Sequence, residues 1–199
     1  MSRPAHARSA VMAAAEAIVK DMGAANLTYD ELVRRSGITR GGITYHFPTK
    51  ESLLEALVEH DLQRWRDCIA EKTAQFDGPQ AALQGYIASG CEHDPDSARL
   101  CAGLLSVVST SKALDQPWRS HYAAQLAEVQ RSPDPALALL LVLAVEGLFW
   151  SETLNLMALP PDLRRETVQR LLDLAAGMHG AVPATPVPSA PGTPEGQRP

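Results

Sequence analysis

Aromatic residues make up only 5% of this 199-residue chain, and alternating apolar and polar runs hardly occur, so the usual content of β-strands is missing. Cysteine is also scarce. Cys68, Cys91 and Cys101 are odd in number and widely spaced, which provides neither a disulfide framework nor a paired CxxC zinc site and fits a reducing cytosol. The longest uninterrupted apolar run, Ala136 to Val145, stops at Glu146. That is well short of the roughly 20 residues needed to cross a bilayer, so no membrane segment is expected. Near the N-terminus, Glu16, Lys20 and Asp21 break the apolar stretch before a signal-peptide core is complete. Catalytic signatures are missing too: there is no GxSxG, no HExxH and no phosphate-binding glycine loop, and the six histidines are scattered. An all-α hydrolase or oxygenase-like bundle would lack its chemistry, and neither catalytic residues nor a cofactor are expected. Cys91, His93, Asp94 and Cys101 could be gathered around a metal, but their spacing matches no recognised ligand set. Buried thiols are expected instead, with Cys101 inert in the apolar stretch LCAGLLSVV, and no metal.

What is present is helical. Val11, Ala15, Ile18 and Met22 form the stripe of a first helix that Gly23 ends. Thr28-Tyr29-Asp30-Glu31 reads as a capping box opening a short second helix that stops near Gly37. Thr39 caps a third helix reaching His46, and Pro48 marks its end. From Thr49 a long fourth helix carries Leu54, Val58, Leu62, Trp65 and Ile69 on one face. Further helices are predicted to start at Pro79, Asp94-Pro95, near Pro117, Asp134-Pro135 and Pro160-Pro161, because proline suits a first turn. The fold class is therefore all-α, with about nine helices. Residues 182–199 are Pro-rich, polar and aperiodic, as in a disordered tail.

Charge divides the chain. Through Lys50 there are seven bases against four acids, a net of +3, and the remainder has eleven against nineteen, a net of -8. A basic head on an acidic body suits a polyanion-binding module joined to a part with another role. Two short helices, 28–36 and 39–46, joined at Gly37, have the spacing of a helix-turn-helix whose second helix reads the DNA major groove. Gly41 and Gly42, costly within a helix at about 1 kcal/mol each relative to Ala, would let its backbone approach phosphates and base edges. Donors surround them, while Ile43 and Phe47 are expected to point inward. A homeodomain-like adaptor that binds protein would not require this basic face.

The same stretch resembles the TetR/AcrR family of bacterial transcriptional regulators over roughly residues 8 to 56. The resemblance rests on Thr28, Leu32-Val33, Gly37-Ile38-Thr39, Gly41, Ile43, His46-Phe47, Lys50 and Leu53 at the family's spacing. It departs at Thr44, where the family usually has Tyr, and at Gly42, where a side chain often contacts DNA; base readout shifts toward Arg40, Thr44 and Tyr45. The resemblance implies a DNA-binding surface of Thr28, Tyr29, Thr39, Arg40, Gly41, Gly42, Thr44, Tyr45, His46 and Lys50. Within it, Thr28, Thr39, Tyr45, His46 and Lys50 grip phosphates and Arg40 contacts guanine.

The implied organisation is a helix-turn-helix DNA-binding domain at 1–50, a helical effector-binding and dimerisation domain at 51–181, and the tail at 182–199. Residues 136–159 are apolar on nearly every side in their first half, which predicts burial all round. Residues 163–178 follow with Leu163, Val168, Leu171, Leu172, Ala175 and Met178 on one face. By resemblance, these last two helices form a homodimer. A small-molecule effector would enter among the middle helices, where the candidates are Trp65, Leu104, Leu105, Val108, Trp118, His121, Tyr122, Glu146, Phe149, Trp150 and Met157. The function implied is a cytoplasmic, ligand-responsive repressor that binds a pseudo-palindromic double-stranded DNA operator and is released by its effector.

Overall fold

The computed structural model describes residues 3–92, 94–108 and 112–178, apart from the side chains of residues 3–5, 106, 108, 112 and 113. The expected tail and His93 lie outside the described residues. Among those described there are nine α-helices, one 3-10 turn and no strand.

Local signals set most of the helix ends. The first helix, α1 (Arg3–Met22), stops at Gly23, whose φ of 80° suits only glycine comfortably, and a 3-10 turn at Ala24–Asn26 follows. The Thr28 hydroxyl accepts the Glu31 amide at 3.3 Å to open α2 (Tyr29–Ser36). The other half of the expected capping box is not made: the Glu31 carboxylate turns to Arg34 and Arg35 instead. Three charge-assisted bonds outweigh one bond to a backbone amide. At Gly37 (φ 69°) the chain turns into α3 (Arg40–His46), capped by Thr39 accepting from the Gly42 amide at 3.2 Å. Thr49 and Ser52 form a reciprocal capping box at the start of α4 (Lys50–Thr73).

In the body, α5 spans Ala81–Cys91, starting two residues after the predicted Pro79, and α6 spans Pro95–Val108. Pro117 does not begin a helix. It sits in the second turn of α7 (Lys112–Arg131), where it lacks the N–H that would return to the carbonyl four residues back. Asp134 caps α8 (Pro135–Thr153), and α9 (Pro161–Ala176) closes the described fold.

Two apolar cores result. One gathers Ile18 of α1, Leu32 of α2, Ile43 of α3, Leu53 and Leu57 of α4, Leu100 and Leu104 of α6, and Leu114 of α7. Packing therefore does not break at residue 50, because α6 lies directly on α1: a Cβ on Gly103 would stand 2.7 Å from Val19 Cγ1. The second core joins Tyr86 and Ile87 of α5, Val129 of α7, Leu141 and Val145 of α8, and Leu171 and Ala175 of α9.

The expected burial of α8 on all sides is not met within one chain. Ala138, Leu141, Val142, Val145 and Leu148 are buried, but Leu140 and Leu143 are 64% and 56% exposed and Leu139 is also open. The other described helices cover only one face of α8. By length and composition α8 could cross a membrane, yet its buried face packs within the body.

Candidate functional site

Ile43 and Phe47 pin α3 to the head's core, as their spacing predicts. On the opposite side, Arg40 and Thr44 stack one turn apart, as do Gly41 and Tyr45, and Tyr45 is 79% exposed. The Arg40 guanidinium rests 5.0 Å above the Tyr29 ring and 3.8 Å from the Asp30 carboxylate. Both contacts are exposed and weak enough to yield to a better partner. Tyr29 donates its hydroxyl to the Pro48 carbonyl at 3.4 Å, tying the start of α2 to the link between α3 and α4, and Lys50 Nζ donates to the Ala25 carbonyl at 3.3 Å, tying the start of α4 to the 3-10 turn. The Tyr45 and His46 rings meet edge-on at 5.0 Å. All ten residues named for this face thus fall on the starts of α2 and α4 and on α3 with its cap.

The two adjacent glycines serve different ends. A Cβ on Gly41 would meet nothing within 4 Å, whereas one on Gly42 would stand 2.8 Å from Ile38 Cγ2 and 3.4 Å from Thr39 Oγ1. Gly42 is therefore small because of the turn packed behind it, and Gly41 is the one that leaves the outward face bare. Charge is sorted as well. Arg34 and Arg35 are engaged by Glu31, and Arg35 also by Asp21; the hydrogen bonds from Arg34 and then Arg35 hold the Glu31 carboxyl down to about 2. Lys20 is paired with Glu16 at 2.7 Å. Around α3 the basic character therefore comes from Arg40, Lys50 and Arg8, the last lying 5.2 Å over the Phe47 ring. Sequence reading missed Arg8 because α1 carries no motif of its own.

The second candidate site is a partly open cavity of about 760 Å³ lined by α4, α5, α6, α7 and α8, with Lys20 of α1. Trp65, Trp118, His121, Tyr122, Glu146, Phe149 and Trp150, all expected effector contacts, line it. Their rings form a continuous wall, with Trp65 to Phe149 at 6.3 Å, Phe149 to Trp150 at 5.1 Å and Trp150 to Trp118 at 6.2 Å between centroids. The Glu146 carboxylate accepts from three donors: the Tyr86 hydroxyl, the Tyr122 hydroxyl at 3.0 Å and Trp150 Nε1 at 3.2 Å. Burial first, and the Glu146 charge second, push both phenols far above their ordinary range, so both remain donors. Burial lowers His121, although the Glu146 charge opposes it.

The remaining candidates stand elsewhere. Leu104 is fully buried in the head's core, Leu105 is exposed on α6, and Met157 is exposed in the segment between α8 and α9. Val108 ends α6 with its side chain outside the described residues. In their place the cavity has a polar end that the sequence did not single out, including Asp61, Arg64 and Ser97, beside Cys101. Buried Asp61 accepts the Cys101 thiol at 3.3 Å and lies 3.5 Å from Arg64; burial raises its pKa. Arg64 also donates to Glu16 of α1 at 3.0 Å and to Ser97 of α6 at 2.9 Å. Burial alone would raise Glu16, but hydrogen bonds and charges from Lys20 and Arg64 hold it below its usual range. Burial also pushes the Cys101 thiol well up and Cys91 up to about 11, which leaves both as inert thiols.

Residues 11–57 match the family model for bacterial regulatory proteins of the tetR family, and residues 80–176 match that for the tetracyclin repressor-like C-terminal domain. Among solved structures, a protein described as a TetR-family transcriptional regulator from Rhodococcus sp. superposes with a TM-score of 0.66 at 20% identity, covering 87% of this chain and 98% of its own. A transcriptional regulator from Pseudomonas aeruginosa PAO1 gives 0.69 at 17% identity, with 88% and 93% covered. The multidrug binding protein EbrR, solved with imidazole, gives 0.64 at 21% identity, with 89% and 97% covered. A head with the tetR pattern, a body with the matching C-terminal pattern and the shared all-α architecture lead to one conclusion: the chain belongs to the TetR family of DNA-binding transcription regulators.

Proposed function

We propose that this protein is a ligand-responsive, cytoplasmic repressor that binds a pseudo-palindromic operator as a homodimer and is released when a small molecule occupies the aromatic cavity. The observation that carries this reading is the outward face of α3, where Arg40, Gly41, Thr44 and Tyr45 stand opposite the buried Ile43 and Phe47. Such a helix is rigidly backed and lined with donors, as major-groove reading requires. Thr28, Thr39, His46 and Lys50 flank it as phosphate contacts, and Arg40 is the base-reading residue.

Two further features support the reading. Leu139, Leu140 and Leu143 of α8 and Leu163 and Leu174 of α9 are exposed apolar side chains of the kind that a second copy would cover. Arg64 connects the cavity wall to α1 of the head through Glu16, so occupation of the cavity has a physical path to the reading helix. The work done is binding, with no catalytic step.

The test is a footprint of the purified protein on DNA around its own gene at two salt concentrations. Protection of a pseudo-palindrome, with affinity falling steeply as salt rises, is expected of a dimer that neutralises several phosphates. Absence of any protected sequence at low salt would refute the DNA-reading role of α3.

A further inference from the structure

Among the described residues, the cavity wall holds two carboxylates away from solvent, Asp61 and Glu146, and only Asp61 has a base beside it. Arg64 lies 3.0 Å from Glu16 and 3.5 Å from Asp61, Lys20 is paired with Glu16, and Lys72 with Glu92 at 2.6 Å. Glu146 differs: its three partners, Tyr86, Tyr122 and Trp150, are all neutral donors. These bonds fix the carboxylate in place and satisfy its lone pairs without cancelling its charge. Around it stand the rings of Trp118, Tyr122, Phe149 and Trp150, whose faces carry negative quadrupole potential. An anion would be repelled by both elements, and a neutral body would use only the apolar walls. A cation with an apolar body uses both.

We propose that the cavity binds an organic monocation bearing an aromatic or compact apolar group, with its positive centre held by Glu146 and its body against the tryptophan and phenylalanine rings. This names the chemical class of the effector and rests on the assignment of the cavity as the effector site. A volume of about 760 Å³ leaves room for a drug-sized molecule.

The three tryptophans of the chain, Trp65, Trp118 and Trp150, all line this cavity, so intrinsic fluorescence reports its occupation directly. Full-length protein is titrated with trimethylphenylammonium, with its neutral isostere tert-butylbenzene, and with benzenesulfonate. The cation should quench saturably and bind at least tenfold more tightly than the isostere, and the sulfonate should be weakest. Glu146→Gln, which keeps an acceptor for the tyrosines, should erase the preference for the cation while leaving tert-butylbenzene binding within about twofold; Glu146→Asp should keep part of the preference. Equal affinity for cation and isostere in the wild type would overturn the proposal even if the variants fail to fold, as would no quenching by the cation or a preference that survives Glu146→Gln. Footprinting with the same cation separates the two assignments. Glu146-dependent binding that leaves the footprint intact refutes the effector role and keeps the cation site. A footprint released by some other molecule, with no charge preference in the titration, does the reverse.

Discussion

Replacing Gly41 with alanine should make the protein more stable and a worse DNA binder at the same time. Gly41 is helical, in α3, and an added Cβ would meet no atom within 4 Å. The substitution therefore removes the entropic cost of glycine without a steric penalty, a gain of about 1 kcal/mol. For a chain of this size that corresponds to a melting temperature higher by about 2 to 4 °C. On DNA the same methyl projects from the face shared with Tyr45. If the backbone approaches the duplex there, forcing an extra carbon into a close-packed contact costs about 1 to 3 kcal/mol per head. That is roughly a fivefold to 150-fold loss of operator affinity per head. Calorimetry and a gel-shift titration on the footprinted operator measure the two effects. A variant that melts higher yet binds the operator like the wild type would refute the placement of Gly41 against DNA. Gly42→Ala provides the contrast: its Cβ would stand 2.8 Å from Ile38 Cγ2, so the helix gain is offset by displacement of a side chain packed on the head's core, and melting should fall.

Arg64→Ala removes the link from Glu16 to Ser97 and should leave a folded protein, with a cost of about 1 kcal/mol once the side chain's partial exposure is discounted. Operator release by a bound cation should then weaken at least fivefold in footprint titrations, and an unchanged release curve would remove Arg64 from the path. His121 has a folded pKa below its ordinary 6.5 because of burial. Its neutral form is favoured in the fold, so its contribution is complete above pH 6.5 and is lost as pH falls through the lower folded value. Melting measured from pH 7.5 to 5 should decline less in His121→Gln, and an identical slope in variant and wild type would show that His121 does not govern it. Leu140→Glu with Leu143→Glu places charge on the exposed face of α8 and should convert a wild-type dimer into monomers in sedimentation at micromolar concentration. A dimer that persists would locate the interface elsewhere.

The head was legible because its signals are local. Thr28, Gly37, Thr39 and Thr49 act within a few residues of themselves, so the starts of α2, α3 and α4 and the turn between α2 and α3 could be read from the chain. The distinction between Gly41 and Gly42 was not legible, since it depends on where Ile38 lies after the turn closes. Pro117 misled because proline at a helix start and proline tolerated within a second turn look alike in sequence. Five of the cavity's aromatics, Trp65, Trp118, Tyr122, Phe149 and Trp150, could be named as candidates because large aromatic residues in middle helices are conspicuous. Its polar end could not: Arg64 meets Glu16 across 48 residues and Ser97 across 33, and each alone looks like a solvated helix residue. Leu104 was misplaced for a related reason, since an apolar residue on α6 does not reveal which of two neighbours it faces.

Helix α6 faces two ways, and this ties the cavity to the reading head. Ser97 and Cys101, one turn apart, belong to the cavity, while Leu100 and Leu104, also one turn apart, belong to the head's core. Gly103 brings the helix so close to α1 that a single methyl would overlap Val19. Trp118 walls the cavity and packs against the same core from α7. Close-packed helices move as units because their interfaces resist compression. On the proposed ligand response, a molecule that spreads the cavity displaces α4 or α6, both of which pack against α1, and α1 in turn packs against α3. In the homodimer proposed above, joined through α8 and α9, the displacement appears as a change in the separation of two reading helices. Half-sites one helical turn apart tolerate little such change. The proposed release needs no direct contact between effector and DNA-binding residues, because the head's packing core and the cavity's wall share the same helix.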